Sequence, residues 1–237
     1  METQALEVVS KNLVAVEKIL IDAQDQIAAN LQGAIGVDKF IHVAMDLIKS
    51  NSLLSRCEPQ SVLQGVLEAS ELGLLLTKHL GHGYLVPYKN GQLTEKLSRE
   101  VVECQFQIGY RGFLHLVREA DPEVQTVYSR IVWPGEEFFV DEDSHRITHI
   151  PLEQGGQVTV GKDGTKGGYR GAYAKILYKN GTQDFEWMPH HEIEKVRKCS
   201  KARSEDAPWW RWPEEMIKIR PTRRLCKRLK LAATKLA

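Results

Sequence analysis

Neither sign of charge is in excess. The chain carries 32 Lys and Arg against 31 Asp and Glu, a formal net charge of +1. Any strongly cationic surface must therefore be a local concentration, not a property of the whole protein. Apolar runs are short: none approaches the roughly 20 residues that cross a bilayer, so no membrane-spanning helix is expected. The opening Met1-Glu-Thr-Gln-Ala5 lacks a basic segment followed by an apolar one, and no secretory signal is expected. Cysteine is sparse. Cys57, Cys104, Cys199 and Cys226 lie far apart and form no C-x-x-C pair, which reads as free thiols in a reducing cytoplasm. G-x-S-x-G and Cys/His nucleophile signatures are missing as well. What is present is ordinary for a globular chain: 237 residues, 42% hydrophobic and 27% charged, enough to bury a full core in one or two domains.

Periodicity changes along the chain. Leu6, Val9, Leu13, Val16 and Leu20 recur at helical spacing, and Phe40, Val43, Ala44, Leu47 and Ile48 form a second such set. A third helix is expected from Glu58-Pro59 through Val62, Val66, Leu67 and Ala69, ended by Gly73. Core packing is the first reading of these stripes, and contact of the first helix with a neighbouring subunit is the alternative. From about residue 80 the pattern becomes strand-like, at 83–88, 101–108, 124–132, 137–140 and 146–150, with a helix at 113–119. Lys89-Asn90-Gly91 reads as a turn. Residues 153–168 are glycine-rich and read as a loop or a long hairpin tip. Alternating segments 171–178 and 183–188 flank Lys179-Asn180-Gly181, a strong hairpin signal. A helix at 189–198, a polar loop and a final basic helix complete the chain. Helices, then strands, then helices predict an α+β fold.

Near-matches to catalytic and ligand motifs fail on chemistry. Gly156-Gln-Val-Thr-Val-Gly161-Lys162-Asp163 has a carboxylate where a P-loop needs a magnesium-binding hydroxyl, and it sits in hairpin context. His79 with His82, His145 with His149, and His190-His191 lack cysteines at ligand spacing and do not form H-E-x-x-H. Asp141-Glu142-Asp143 reads as a solvated polar turn. No metal and no cofactor are expected. A metal-dependent nuclease, with carboxylates gathered from several strand ends, stays as a rival reading.

The densest chemistry lies near the end. Trp209, Trp210 and Trp212 are followed by seven cations and no acid between Met216 and Lys230. On a helix, Arg220, Arg224 and Lys227 crowd one side, with Arg223 and Arg228 slightly off line, and Leu225, Leu229 and Leu231 can face a core. Neighbouring like charges repel by a few tenths of a kcal/mol per pair, which a polyanion would relieve. A nucleic-acid groove is the favoured reading. A solvated helix face, a calmodulin-type target and an anionic-membrane binder are its alternatives.

An ordered set of motifs resembles the RecT family of phage single-strand annealing proteins. It comprises Gly83-Tyr-Leu-Val-Pro-Tyr88, Gln105-Phe-Gln-Ile-Gly-Tyr-Arg-Gly112, Phe185-Glu-Trp-Met188, His191-Glu-Ile-Glu-Lys-Val-Arg197, Ser200-Lys201-Ala202, Pro208-Trp209, Trp212-x-Glu-Glu-Met216 and Arg223-Arg224-Leu225. The resemblance covers about residues 55 to 230. It implies binding of single-stranded DNA and ATP-independent pairing with a complementary strand in recombination. It further implies assembly as rings or helical filaments, a 5′→3′ exonuclease as partner, and a small antiparallel sheet against a long helix with a DNA groove. An intracellular setting follows, the cytoplasm of a bacterial host with a phage or prophage origin. The rival within this class is a general single-strand binder that protects DNA without pairing it.

The same resemblance marks Arg111 for phosphate contact and Tyr110 for stacking or packing. Arg197 and Lys201 match family cations, and Trp209 is either a base platform or a core anchor. Lys218, Arg220, Arg223, Arg224 and Lys227 fall on the final basic helix. Two departures stand out. Pro221 lies where the family runs an unbroken helix, so the helix is expected to begin there. Family members usually carry a further small C-terminal domain, associated with partners such as the host single-strand-binding protein. This chain stops soon after the basic helix, which weakens the expectation of that partner and allows for a shortened form. The expected organisation is a helical region at 1–50, a DNA-binding and annealing core at 51–232, and a tail at 233–237.

Overall fold

The helical spacing of the first fifty residues folds as α1 (Glu2–Asp22), α2 (Gln24–Leu31) and α3 (Val37–Lys49) in a computed structural model. It describes residues 2–141, 143–161, 166–200 and 207–228. A short 3-10 turn (Leu54–Arg56) leads to α4 (Pro59–Glu71), which starts with proline at its first turn, where the missing N–H costs nothing. Helix α4 packs against α1, α2 and strand β2 (Val102–Ile108). Val16, Leu20, Ile27, Phe40, Ile48, Val62 and Val66 meet in this core and are almost fully excluded from solvent. Each such side chain contributes about 1.5–3 kcal/mol of burial, which is what orders helices this short. Strand β1 (Gly83–Lys89) pairs antiparallel with β2, adding Leu85 and Cys104 to the same core.

One expected turn is a helix start. Asn90 caps α5 (Gly91–Leu97), its Oδ1 accepting from the Leu93 N–H at 3.1 Å. The same side-chain oxygen that stabilises a turn can satisfy a helix's first donors, so Asn-Gly alone does not separate the two outcomes.

The chain divides into two units, residues 1–115 and 116–232, with the boundary inside α6 (Tyr110–Ala120). The second unit is built on an antiparallel sheet of order β3-β8-β9, where β3 is Val124–Val132, β8 is Gly171–Tyr178 and β9 is Gln183–Pro189. Strands β4 (Glu137–Asp141) and β5 (Arg146–Ile150) form a hairpin, as do the two-residue strands β6 (Thr159–Val160) and β7 (Lys166–Gly167). Helices α7 (His190–Lys198), α8 (Pro208–Arg211) and α9 (Pro213–Arg228) follow. Period-two alternation gives the three-stranded sheet two apolar faces. On one, Ile131, Ala172 and Met188 cluster with Ile193, Trp209 and Ile217, and α9 lies across all three strands. On the other, Tyr173 and Phe185 cluster with Ile147, Phe138 and Val140 of the β4–β5 hairpin. Small antiparallel sheets with flanking helices make the molecule α+β, as the element order predicts.

Helix α9 corrects one expectation. It does not begin at Pro221 but at Pro213, and Pro221 lies inside it, buried. Proline here deletes the N–H that Ile217 would receive, at a cost of about 3 kcal/mol in a free helix. Around the gap, Arg220 Nε donates to the Met216 carbonyl at 3.2 Å and Thr222 Oγ1 to that of Lys218 at 3.0 Å. Burial of Ile217, Pro221, Thr222, Leu225 and Cys226 on one side holds the helix through the defect.

Candidate nucleic-acid interface

Glycine spacing builds the start of α6. The Gly109 N–H donates to the His82 carbonyl at 2.9 Å. A Cβ at Gly109 would sit 2.2 Å from the Gly81 carbonyl oxygen, and one at Gly112 would sit 2.0 Å from that of His82. Only glycines let the helix press so closely on the 81–83 segment. The two glycines bracket Tyr110, which is half-buried, and Arg111, which is exposed and donates through Nη1 to the His79 carbonyl at 3.3 Å. His82 stacks on His115, with ring centres 4.7 Å apart and planes 14° apart. Burial lowers the His82 pKa, and the neighbouring His115 and Arg111 lower it further.

In the second unit, α9 sorts its cations into held and unheld. Arg224 Nη1 reaches Glu192 at 2.6 Å and Glu186 at 3.3 Å. Burial pulls the Arg224 pKa down, but these two carboxylates outweigh it and raise it. Arg228 pairs with Asp184 and Glu186, both at 3.2 Å, and donates to the Phe185 carbonyl. Lys218 pairs with Glu215 at 3.0 Å. Arg220 lies over the Trp209 ring, 5.1 Å from its centre, and burial, with Arg223 nearby, pushes its pKa down to about 10. Arg223 and Lys227 are exposed, four residues apart on one side of the helix. Neither makes an ion pair among the described residues.

Of the remaining positions marked from sequence, Arg197 is mostly buried, its Nε donating to Glu194 Oε2 at 2.7 Å. Trp209 is a core residue, 5% exposed and clustered with Met188, Ile193 and Ile217, so its indole is an anchor and not an open stacking platform. Lys201 lies outside the described residues. The structure therefore brings together Trp209 with Arg220, and places Arg223, Arg224 and Lys227 along one helix. Tyr110 and Arg111 belong to the first unit and the others to the second.

The near-motifs have structural roles. Gly156 packs flat on Trp133, where a Cβ would meet the indole at 2.4 Å. Lys162 and Asp163 of the P-loop near-match lie outside the described residues. Asp141 caps its own turn, accepting from the Ser144 hydroxyl and from the N–H groups of Ser144 and Asp143, bonds that lower its pKa. Glu142 lies outside the described residues. Among the described residues no group of three or more His, Cys, Asp or Glu is placed to hold a metal ion, and no helix is long and apolar enough to cross a membrane.

Sequence reasoning missed a buried polar cluster. Glu136 accepts from the Trp133 N–H at 2.6 Å and the Leu152 N–H at 3.2 Å, and contacts His149 Nε2 at 3.0 Å. His149 Nδ1 contacts the Tyr173 hydroxyl at 3.2 Å. This cluster edges a cleft of about 440 Å³ whose rim includes Arg130, Gly156, Glu214 and Lys218. No local spacing signals it, because Glu136, His149 and Tyr173 come from separate strands and loops.

A family model described as the RecT family matches residues 38–234. Protein RecT of Escherichia coli (strain K12) is 32% identical over 208 residues, covering 87% of this chain and 71% of that protein. An uncharacterized protein, YqaK, of Bacillus subtilis (strain 168) is 30% identical over 78 residues, 33% of this chain and 23% of that protein. The matched span takes in the G-Y-R-G corner, the three-stranded sheet and the basic helix, and the chain belongs to the RecT family of recombination and DNA-annealing proteins.

Proposed function

We propose that this protein binds one DNA strand through its phosphates and pairs it with a complementary strand without ATP. The observation that carries the reading is the pairing pattern on α9. Most of its cations are neutralised or buried by the fold, whereas Arg223 and Lys227 stand exposed without an acid partner among the described residues. Two uncompensated charges one helical turn apart favour a bound polyanion. Arg111 offers a further exposed cation in the first unit.

Annealing asks for a strand whose bases are free to meet a partner. Contacts then go to phosphates, which carry no sequence information. Base pairing supplies the driving force, so nucleotide hydrolysis has no step to perform. Counterion release makes affinity fall with salt. Self-assembly through the outer face of α1 would hold many nucleotides in register, in the bacterial cytoplasm and beside an exonuclease that exposes the strand. No cleavage of DNA is part of this reading.

The test is sequential addition of two complementary labelled oligonucleotides, without ATP, with and without magnesium. Pairing faster than in protein-free solution, with both strands intact, is expected. Binding that slows pairing would leave a strand protector, and magnesium-dependent cleavage would make the protein a nuclease. For the interface itself, Arg223→Ala with Lys227→Ala should weaken binding and reduce the slope of log affinity against log salt by about 1.4, at about 0.7 per phosphate contact.

A further inference from the structure

The sheet face turned away from α9 carries a second set of cations. Register sets Tyr128 of β3 beside Lys175 of β8, and Arg130 of β3 beside Tyr173 of β8. These positions alternate with Ile131, Ala172 and Ala174, whose side belongs to the α9 face, so all four share the opposite face. Arg146 opens β5, whose hairpin covers the Tyr173–Phe185 end of that face. Arg130 lies over the Tyr128 ring, 5.9 Å from its centre, and Tyr128 meets Tyr173 edge-on at 6.3 Å.

None of these cations is held in an ion pair: among the described residues Arg130, Arg146 and Lys175 make none, while on the α9 side Lys218, Arg224 and Arg228 each do. Glu153 and Glu214 line the cleft that Arg130 also edges, without an ion pair to it, and two further carboxylates nearby are held by hydrogen bonds. Asp141 sits across from Arg146 and feels its charge, but its hydrogen bonds go to Ser144 and Asp143. Glu136 is buried and already bonded to Trp133, His149 and Leu152. Lys175 is half-buried, and its pKa is lowered by that burial and then by Arg146. Burial and a neighbouring cation both disfavour the charged lysine, and a bound anion would oppose both. The cations spread over β3, β8 and β5 without converging on one point, which suits an extended polyanion better than a single phosphate. An aromatic ring among them suits stacking on bases.

We infer that Arg130, Lys175 and Arg146 form a second phosphate-binding surface, which takes the backbone of a single nucleic-acid strand across Tyr128. The inference rests on the reading of the protein as a nucleic-acid binder and adds a surface on the other side of the sheet from α9.

The test measures binding of the full chain to a labelled oligothymidylate between 50 and 200 mM NaCl, at about the range over which phosphate contacts are read. Replacing Arg130, Arg146 and Lys175 together by Gln should reduce the magnitude of the salt slope by about 2, from three contacts at about 0.7 each. Arg130→Lys with Arg146→Lys and Lys175→Arg should keep the slope. Lys175→Met alone should raise the midpoint of chemical unfolding while weakening binding severalfold, a combination that a lysine retained for stability would not give. A triple Gln variant that keeps the wild-type slope and affinity overturns the inference, as does loss of slope in the charge-conserving variant. If the wild-type protein binds no oligonucleotide, the underlying function fails with it. If the wild type binds and the Arg223–Lys227 variant loses slope while the sheet variant does not, only the second surface fails.

Discussion

Glu136 has 1% of its side chain exposed, yet it stays ionised below the ordinary carboxylate range. Burial alone would raise its pKa. The Trp133 N–H, His149 and the Leu152 N–H outweigh that penalty by bonding the charged form. A folded pKa below the unfolded one stabilises the protein at pH above the unfolded value, about 4.3, and that contribution is lost as pH falls through the folded value. Glu136→Gln should therefore flatten the acid limb of a stability–pH curve and cost about 2–4 kcal/mol at neutral pH, read by urea unfolding. Gly112 poses a steric question at the same scale. Gly112→Ala drives a Cβ into the His82 carbonyl and should cost about 2–3 kcal/mol, whereas Gly91→Ala, with nothing within 4 Å, should be neutral or slightly stabilising. Equal unfolding midpoints for the two variants would contradict the close approach at the start of α6.

Helix α9 shows what an element adds to its residues. Its sequence reads as one cationic strip, but packing divides that strip by function. Arg224 ties α9 to β9 and α7 through Glu186 and Glu192. Arg224→Ala should lower stability by about 1 kcal/mol, since Glu186 is largely shielded from water and loses part of its compensation. Arg223→Ala should leave stability within about 0.5 kcal/mol, as exposed substitutions without partners do. Unfolding curves of the two single variants separate the roles, and indistinguishable midpoints would show that the ion pairs carry no weight.

Legibility followed the range of the deciding interaction. Strands β3, β5 and β8 coincide with the expected segments 124–132, 146–150 and 171–178, because alternation and the Asn180-Gly181 turn, with Gly181 at φ +81°, are local. The start of α5 and the passage of α9 through Pro221 were not legible. In the first, Asn90 had two equally local uses. In the second, burial against the rest of the unit overrode a local breaker. Nor could spacing tell which cations are held, because Arg224 finds its acids 38 and 32 residues away.

Over the whole molecule, near-neutral charge keeps attraction to polyanions confined to patches, and residues 2–71 contribute helices whose inner faces fill one core. The outer face of α1 is less ordinary. Val14 and Ile21, seven residues apart, are 64% and 54% exposed, while Val16 and Leu20 are fully buried. If α1 is the subunit contact, Val14→Glu with Ile21→Glu should reduce the assembled mass in sedimentation without changing helix content. An unchanged assembly would move the contact elsewhere.

The sequence by itself determined the α+β element order, the Asn180-Gly181 hairpin, the family and the presence of a basic helix near the end, since each rests on neighbours or on ordered motifs along the chain. Tertiary structure alone decided that Trp209 is an anchor, that Arg224 and Arg228 are bound to acids, and that Arg130 and Lys175 share a sheet face beside Arg146 of the hairpin. Ion pairing and burial depend on residues brought together across strands, and no one-dimensional spacing encodes that distance.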